Sequence, residues 1–165
     1  MWAPWRIGYV AGDRPDGCVF CDKIKADDDE RNHVLYRGRF NVVMLNTYPY
    51  NSGHLMVVPV DHVCDLLDLG PEARAEMWEL ALLGSETLKR TLHAQGLNLG
   101  LNIGHAAGAG IQDHIHLHIV PRWNGDTNYM TACADTRVVP QSLDDSYRQL
   151  QPAMQALAAE LLGTQ

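Results

Sequence analysis

The 165 residues, 46% of them hydrophobic and 20% charged, have the composition of one globular domain with a real core. Thirteen Lys and Arg against twenty Asp and Glu leave a formal charge of −7, which argues against a nucleic-acid partner but leaves room for a pocket that holds a small polyanion. No apolar run approaches the roughly 18 to 20 residues that cross a bilayer, and Met1-Trp2-Ala3-Pro4-Trp5-Arg6 carries no signal-peptide stretch, so the expectation is a cytoplasmic protein without a membrane partner.

In chain order, the first feature is Cys18-Val19-Phe20-Cys21, whose element is expected to end at the charge run Asp27 to Arg31, read as a solvated turn. Val34 to Leu45 reads as two strands broken at Arg37-Gly38-Arg39, a hairpin. The turn formers of Asn46 to Gly53 then lead into the apolar run His54 to Pro59, suited to a buried strand. A long helix begins near Pro71, buries Met77, Leu80, Ala81, Gly84 and Leu88 on one stripe, and stops before Gly96. Leu97, Leu99, Leu101 and Ile103 alternate with polar residues and glycine as a strand with one buried face. A glycine-rich turn follows at Gly104 to Gly110, then a strand in which Ile115, Leu117 and Ile119 alternate with His114, His116 and His118. Tyr147, Leu150, Met154, Leu157, Leu161 and Leu162 mark an amphipathic C-terminal helix ending at Gly163. The sum is an α+β domain on an antiparallel β-sheet, with one long central helix and a C-terminal helix.

The chemistry concentrates in His114-Ile115-His116-Leu117-His118-Ile119-Val120. On a strand the three imidazoles share one face, neighbours about 6.6 Å apart and the outer pair about 13 Å, so a single metal can bind two of them but hardly three. Imidazole serves as nucleophile, proton carrier or metal ligand near neutral pH. His116, with a histidine on either side, is best placed for a covalent role, which needs one ring nitrogen oriented by an acceptor and the other lone pair aimed at an electrophile. Three solvated imidazoles on a polar face, or a two-histidine metal site, are the competing readings. Cys18 and Cys21 have the spacing at which two thiolates reach one Zn²⁺, and such a site needs two further ligands. Reduced structural cysteines and a redox pair are the alternatives, and Cys64 and Cys133 read as packing residues.

The run 114 to 120 matches the signature His-φ-His-φ-His-φ-φ, φ being apolar, and in it the sequence resembles the histidine-triad (HIT) superfamily. The likeness extends from Cys18 to about Tyr129 through Gly53 to Pro59, His62 and the long helix, within a single domain 1–165 whose core is 18–129, preceded by a segment 1–17 and followed by a helical extension 141–163. Residues 1 to 6 and Pro121 to Met130 further resemble a bacterial subgroup related to diadenosine tetraphosphate (Ap4A) hydrolases and phosphorylases.

This resemblance implies a HIT-like fold and two-step nucleotidyl transfer, in which His116 attacks an α-phosphorus and the nucleotidyl-histidine is released to water or another acceptor. It further implies that His118 contacts phosphate, that His54 supports the catalytic histidines, that Asn46 binds ribose hydroxyls and that Asn102 contacts phosphate. It places His62 and His114 beside Cys18 and Cys21 as the closed ligand set of a structural Zn²⁺. A homodimer is the family expectation, with a nucleotide as the small-molecule partner. Relatives that carry Ser or Thr four residues before the triad are not matched here, where Gly110 stands; backbone N–H groups of Gly108 to Gly110 are expected to take over, with Gln112 a substitute. Phosphoramidase or nucleotidyltransferase chemistry with the same histidine, or nucleotide binding without turnover, are the other functions this motif serves.

Overall fold

The computed structural model describes residues 17–26, 28–127 and 141–163. The stretch 1–16, Cys133 and residues 128–130 of the subgroup motif lie outside these.

Among the described residues two short helices come first, α1 (Val19–Lys25) and α2 (Asp29–Asn32). The charge run is therefore partly helical rather than a turn. Asp28 caps α2 by accepting from the Arg31 amide at 3.2 Å, and the Asp29 carboxylate pairs with Arg37 at 2.6 Å, so the acidic residues start a helix and anchor it. The hairpin β1 (Val34–Arg37) and β2 (Asn41–Leu45) follows, then β3 (Leu55–Pro59), the 22-residue helix α3 (Pro71–Leu92), β4 (Gly96–Leu101), β5 (Leu117–Arg122) and α4 (Leu143–Leu161). Among the described residues the strands form one antiparallel sheet in the order β1-β2-β3-β5-β4.

One face of the sheet packs on α3 and α4. There Val43, Leu45, Leu55, Val57, Leu117 and Ile119 meet the expected stripe of α3 together with Leu150, Met154 and Leu157 of α4. Gly84 lets α3 lie close to the sheet, since a Cβ there would stand 2.9 Å from the Ile119 Cδ1. The helix stops at His93, in the left-handed conformation at φ 52°, and Gly96 instead opens β4. On the other face Val34, Val42, Met44, Met56 and Val58 receive Phe20 and Ile24 of α1. With both faces covered, β2 and β3 are buried throughout, as their unbroken apolar runs require.

Three expectations change. β5 begins at Leu117, so His114 and His116 precede it in an irregular segment. The pairing of Val57 with Leu117 would bring Pro59 opposite Ile115 two steps on, and proline has no N–H to extend the ladder; the Ile115 amide donates instead to the Val63 carbonyl at 2.7 Å. β4 is an edge strand, so Leu99 and Ile103, expected inside, remain exposed, while Leu97 and Leu101 pack against the core. Cys64 is exposed rather than packed.

Candidate active site and metal centre

On the α1 side of the sheet, the hydrogen-bond partners of the histidines fix which ring nitrogen carries hydrogen. His116 Nδ1 lies 2.9 Å from the carbonyl oxygen of His114. A carbonyl only accepts, so Nδ1 carries the hydrogen and the lone pair falls on Nε2. His54 is set the opposite way, because its Nδ1 accepts from the Tyr50 amide at 3.1 Å and from Asn46 Nδ2 at 3.4 Å. Its hydrogen is then on Nε2, which donates to His118 Nδ1 at 3.0 Å, so that neutral His118 carries its own hydrogen on Nε2. The His116 and His118 rings meet edge to face with centroids 4.7 Å apart. A nitrogen lone pair and an N–H donor thus belong to adjacent rings, the pairing needed by a nucleophile and a stabiliser of developing charge.

Burial pushes the His116 imidazole below its ordinary value, with the bond to the His114 carbonyl opposing the shift. The neutral, nucleophilic form is favoured. Phe20, buried beneath the site, holds its ring centroid 4.9 Å from that of His116 and 5.5 Å from that of His114. Opposite His118 on the edge strand stands Gly100, where a Cβ would meet nothing within 4 Å.

Of the residues expected at the substrate, Asn46 lies beside His54, which its side chain reaches, and its Oδ1 accepts from the Tyr48 amide at 2.9 Å. Asn102 directly follows the end of β4, whose last pair, Leu101 with Leu117, stands at the start of β5 next to His116. Gly110 is half-buried just ahead of the triad. Gly108 corrects an expectation, because its N–H donates to the His105 carbonyl at 3.0 Å within the short helical turn His105–Ala107 and is not offered to a ligand.

The second cluster forms as expected. Cys18, Cys21, His62 and His114 place one ligand atom each within 4.8 Å of one another, and this group can hold a metal ion. His114 Nε2 lies 2.9 Å from the Pro59 carbonyl, so its hydrogen is there and Nδ1 presents a lone pair, 3.2 Å from the Cys18 Sγ and 3.6 Å from the Cys21 Sγ. Orienting a ligand histidine through its other nitrogen in this way is a general feature of metal sites. His62 Nδ1 lies 3.3 Å from the Cys21 Sγ. Burial, with the Cys18 thiol adding to it, pushes the Cys21 thiol up, a cost that a cation offsets. Two sulfur and two nitrogen donors, closed without a carboxylate, fit a structural tetrahedral ion.

Sequence reasoning missed Tyr50, whose ring stacks on His54 with centroids 4.9 Å apart, and Phe20, which reads as ordinary core. It left Asn51, Arg122 and Asp126 without a role.

Fold and site together are those of the histidine-triad proteins, and the chain belongs to this family: the HIT domain matches residues 28–125. It is 36% identical over 158 residues to an AP-4-A phosphorylase of Mycobacterium tuberculosis, covering 91% of this chain and 81% of that one. A bis(5'-nucleosyl)-tetraphosphatase (asymmetrical) of Schizosaccharomyces pombe is 28% identical over 95 residues, 58% of this chain and 52% of that one. The crystal structure of a Zn-bound histidine triad family protein from Mycobacterium smegmatis superposes with a TM-score of 0.71 at 32% identity, covering 87% of this chain and 97% of that one.

Proposed function

We propose that this protein cleaves dinucleoside polyphosphates of the Ap4A type at an α-phosphorus through a nucleotidyl-His116 intermediate. The observation that carries the reading is the tautomer of His116, whose Nδ1 hydrogen is committed to the His114 carbonyl. Nε2 forms the N–P bond as the bond from that phosphorus to the bridging oxygen breaks, and the remaining polyphosphate leaves with the electron pair. In the second step an acceptor oxygen forms a P–O bond and the N–P bond returns its electrons to Nε2. His118, held by His54, donates to phosphate oxygen in both steps, while Asn102 adds an amide donor and Asn46 takes the ribose hydroxyls. Positioned neutral donors stabilise the transition state without a basic surface, so the charge of −7 is no obstacle. Similarity to the mycobacterial phosphorylase favours inorganic phosphate over water as the acceptor.

Zn²⁺ is the proposed ion of the Cys18, Cys21, His62 and His114 set, supported by the donor chemistry and by the Zn-bound neighbour. Bound there it supplies structure, joining α1 to the segment that carries His116. A homodimer is supported by apolar side chains at the open edge, Leu99 (40% exposed) and Ile103 (42%), and on α3, Trp78 (51%) and Leu82 (62%). The thiols need a reducing compartment to remain ligands, which supports the cytoplasm.

Incubating the protein with labelled Ap4A, with and without phosphate, tests the reading. ATP plus ADP appearing only with phosphate is the expected result; ATP plus AMP makes water the acceptor. Binding without products, or turnover of nucleoside phosphoramidates alone, overturns it.

A further inference from the structure

Pro121-Arg122-Trp123-Asn124-Gly125-Asp126 lies at the end of β5 remote from His114, where none of the chemistry above reaches it. Its side chains nonetheless tie the site together. Arg122 Nε and Nη2 donate to the Asp126 carboxylate at 2.6 and 2.8 Å, while Arg122 Nη1 donates to Asn98 Oδ1 on β4 at 2.9 Å. The same carboxylate accepts from the Trp123 amide at 3.2 Å and from Asn51 Nδ2 at 3.1 Å. Asn51 Nδ2 also donates to the Pro121 carbonyl at 2.8 Å. A single side-chain amide therefore pins the loop between β2 and β3 to the end of β5.

That loop determines the state of His54. The Asn51 carbonyl accepts the His54 amide at 3.1 Å, and the neighbouring Tyr50 amide donates to His54 Nδ1. Gly53, at φ 79°, presses the loop onto the end of α3, where a Cβ would stand 2.5 Å from the Leu92 Cδ1, and Trp123 Nε1 donates to the Leu92 carbonyl at 3.2 Å. Both segments are thus held on one helix end, and the pin between them sits one residue from the amide that sets the ring.

We infer that Asp126 and Asn51 are positioning residues: the carboxylate holds the Asn51 side chain, Asn51 holds the Tyr50–His54 turn, and the turn keeps the His54 hydrogen on Nε2, directed at His118. Without the pin, the Tyr50 amide moves off Nδ1, the hydrogen can shift to that nitrogen, and the His54–His118 bond loses its direction. His118 would then carry its hydrogen on Nδ1 and present phosphate with a lone pair instead of a donor. The inference rests on the nucleotidyl-transfer reading for its catalytic consequence but not for its structural one.

The test uses the full-length protein and two substitutions, Asn51→Ala and the milder Asp126→Asn, which keeps an acceptor for Asn51 but removes the ion pair. Nitrogen-15 NMR of the imidazoles reports the tautomers directly, and kcat and KM are measured with Ap4A. The expected result for Asn51→Ala is a mixed His54 tautomer and a kcat lower by about a hundredfold with KM nearly unchanged, since small misplacements of a catalytic group act on the chemical step. Asp126→Asn should fall between it and the wild type on both readouts. Wild-type tautomers in a folded Asn51→Ala protein overturn the inference whatever the activity. A wild-type protein that does not cleave Ap4A overturns the nucleotidyl-transfer reading, and the tautomers still decide this one.

Discussion

His116 has one nitrogen on the His114 carbonyl, and its proposed chemistry depends on the other. Replacing it by Asn leaves an amide N–H that can still donate to that carbonyl but no nitrogen able to bond phosphorus. His116→Asn is expected to keep the melting temperature within a few degrees and to lose turnover by a factor on the order of 10⁴ or more, as when a nucleophile is removed elsewhere. Mass spectrometry after an acid quench should find the nucleotidyl adduct on the wild type and none on the variant. Asp126 makes a prediction about pH. The Arg122 guanidinium holds its carboxyl well below the usual carboxylate range. Because the folded-state value is the depressed one, the stabilisation is present above the unfolded value of about 3.9 and is lost as the pH falls further, toward the folded value. Arg122 is 41% exposed, so solvent screening limits the contribution to about 1 kcal/mol at neutral pH. Denaturant titrations of wild type and Asp126→Asn should differ by that amount from pH 7 down to about pH 4 and converge progressively as the pH falls below that; a gap that stays constant below about pH 4 would mean that the pair does not carry the effect.

Between elements, α3 does more than cover the sheet. Its Glu76 carboxylate accepts from the Arg39 amide at 2.6 Å, the Phe40 amide at 2.8 Å and the Asn41 Nδ2 at 2.9 Å, so one side chain closes the β1–β2 turn onto the helix. Asn41 is fully buried, and charge-assisted bonds of this kind are costly to lose. Glu76→Ala should destabilise the fold by about 2–3 kcal/mol in chemical denaturation while leaving kcat intact, since the turn lies outside the histidine site. Read along the sequence, Glu76 looks like an acidic residue favouring the positive end of α3, and only the fold reveals the turn it meets. The same limit explains what was legible elsewhere. Alternation over 115–119 and the stripe of α3 announce buried faces because burial imposes a period on the residues themselves. Pro59 ends the ladder beside Ile115 from a strand more than fifty residues away, so nothing within 114–116 signals the irregular segment. Leu99 and Ile103 alternate like buried residues but lie at an edge, and strand order is not written in a period. The clustering of Cys18, Cys21, His62 and His114 was legible through motif and resemblance, whereas Asn51 and Asp126 are ordinary turn residues until the chain brings them together.

Across the whole molecule, the two faces of the sheet are stabilised differently. The face under α3 and α4 has a continuous apolar core that contains none of Cys18, Cys21, His62 and His114. The opposite face has a smaller apolar cluster, covered among the described residues by the short α1, and the Cys18, Cys21, His62 and His114 set brings α1 together with the loop after β3 and the segment before β5. An ion held there would crosslink three pieces of backbone far apart in sequence and fix the His114 ring, whose backbone carbonyl orients His116. Its removal should loosen one side of the molecule and leave the other standing. An ion bound at a thousand times its dissociation constant stabilises the fold by about 4 kcal/mol, and at this chain length each kcal/mol is worth about 2–4 °C, so a strong chelator should lower the melting temperature by roughly 10 °C. Elemental analysis should find one zinc per chain before treatment, and far-UV circular dichroism should retain the sheet afterwards. Hydrogen exchange should quicken in α1 and residues 60–64 and ahead of β5, but not in α3, because only the first three regions lose a ligand bond. Zinc-free protein with an unchanged melting temperature, or exchange that rises uniformly over both faces, would show that the four side chains are not a structural metal site.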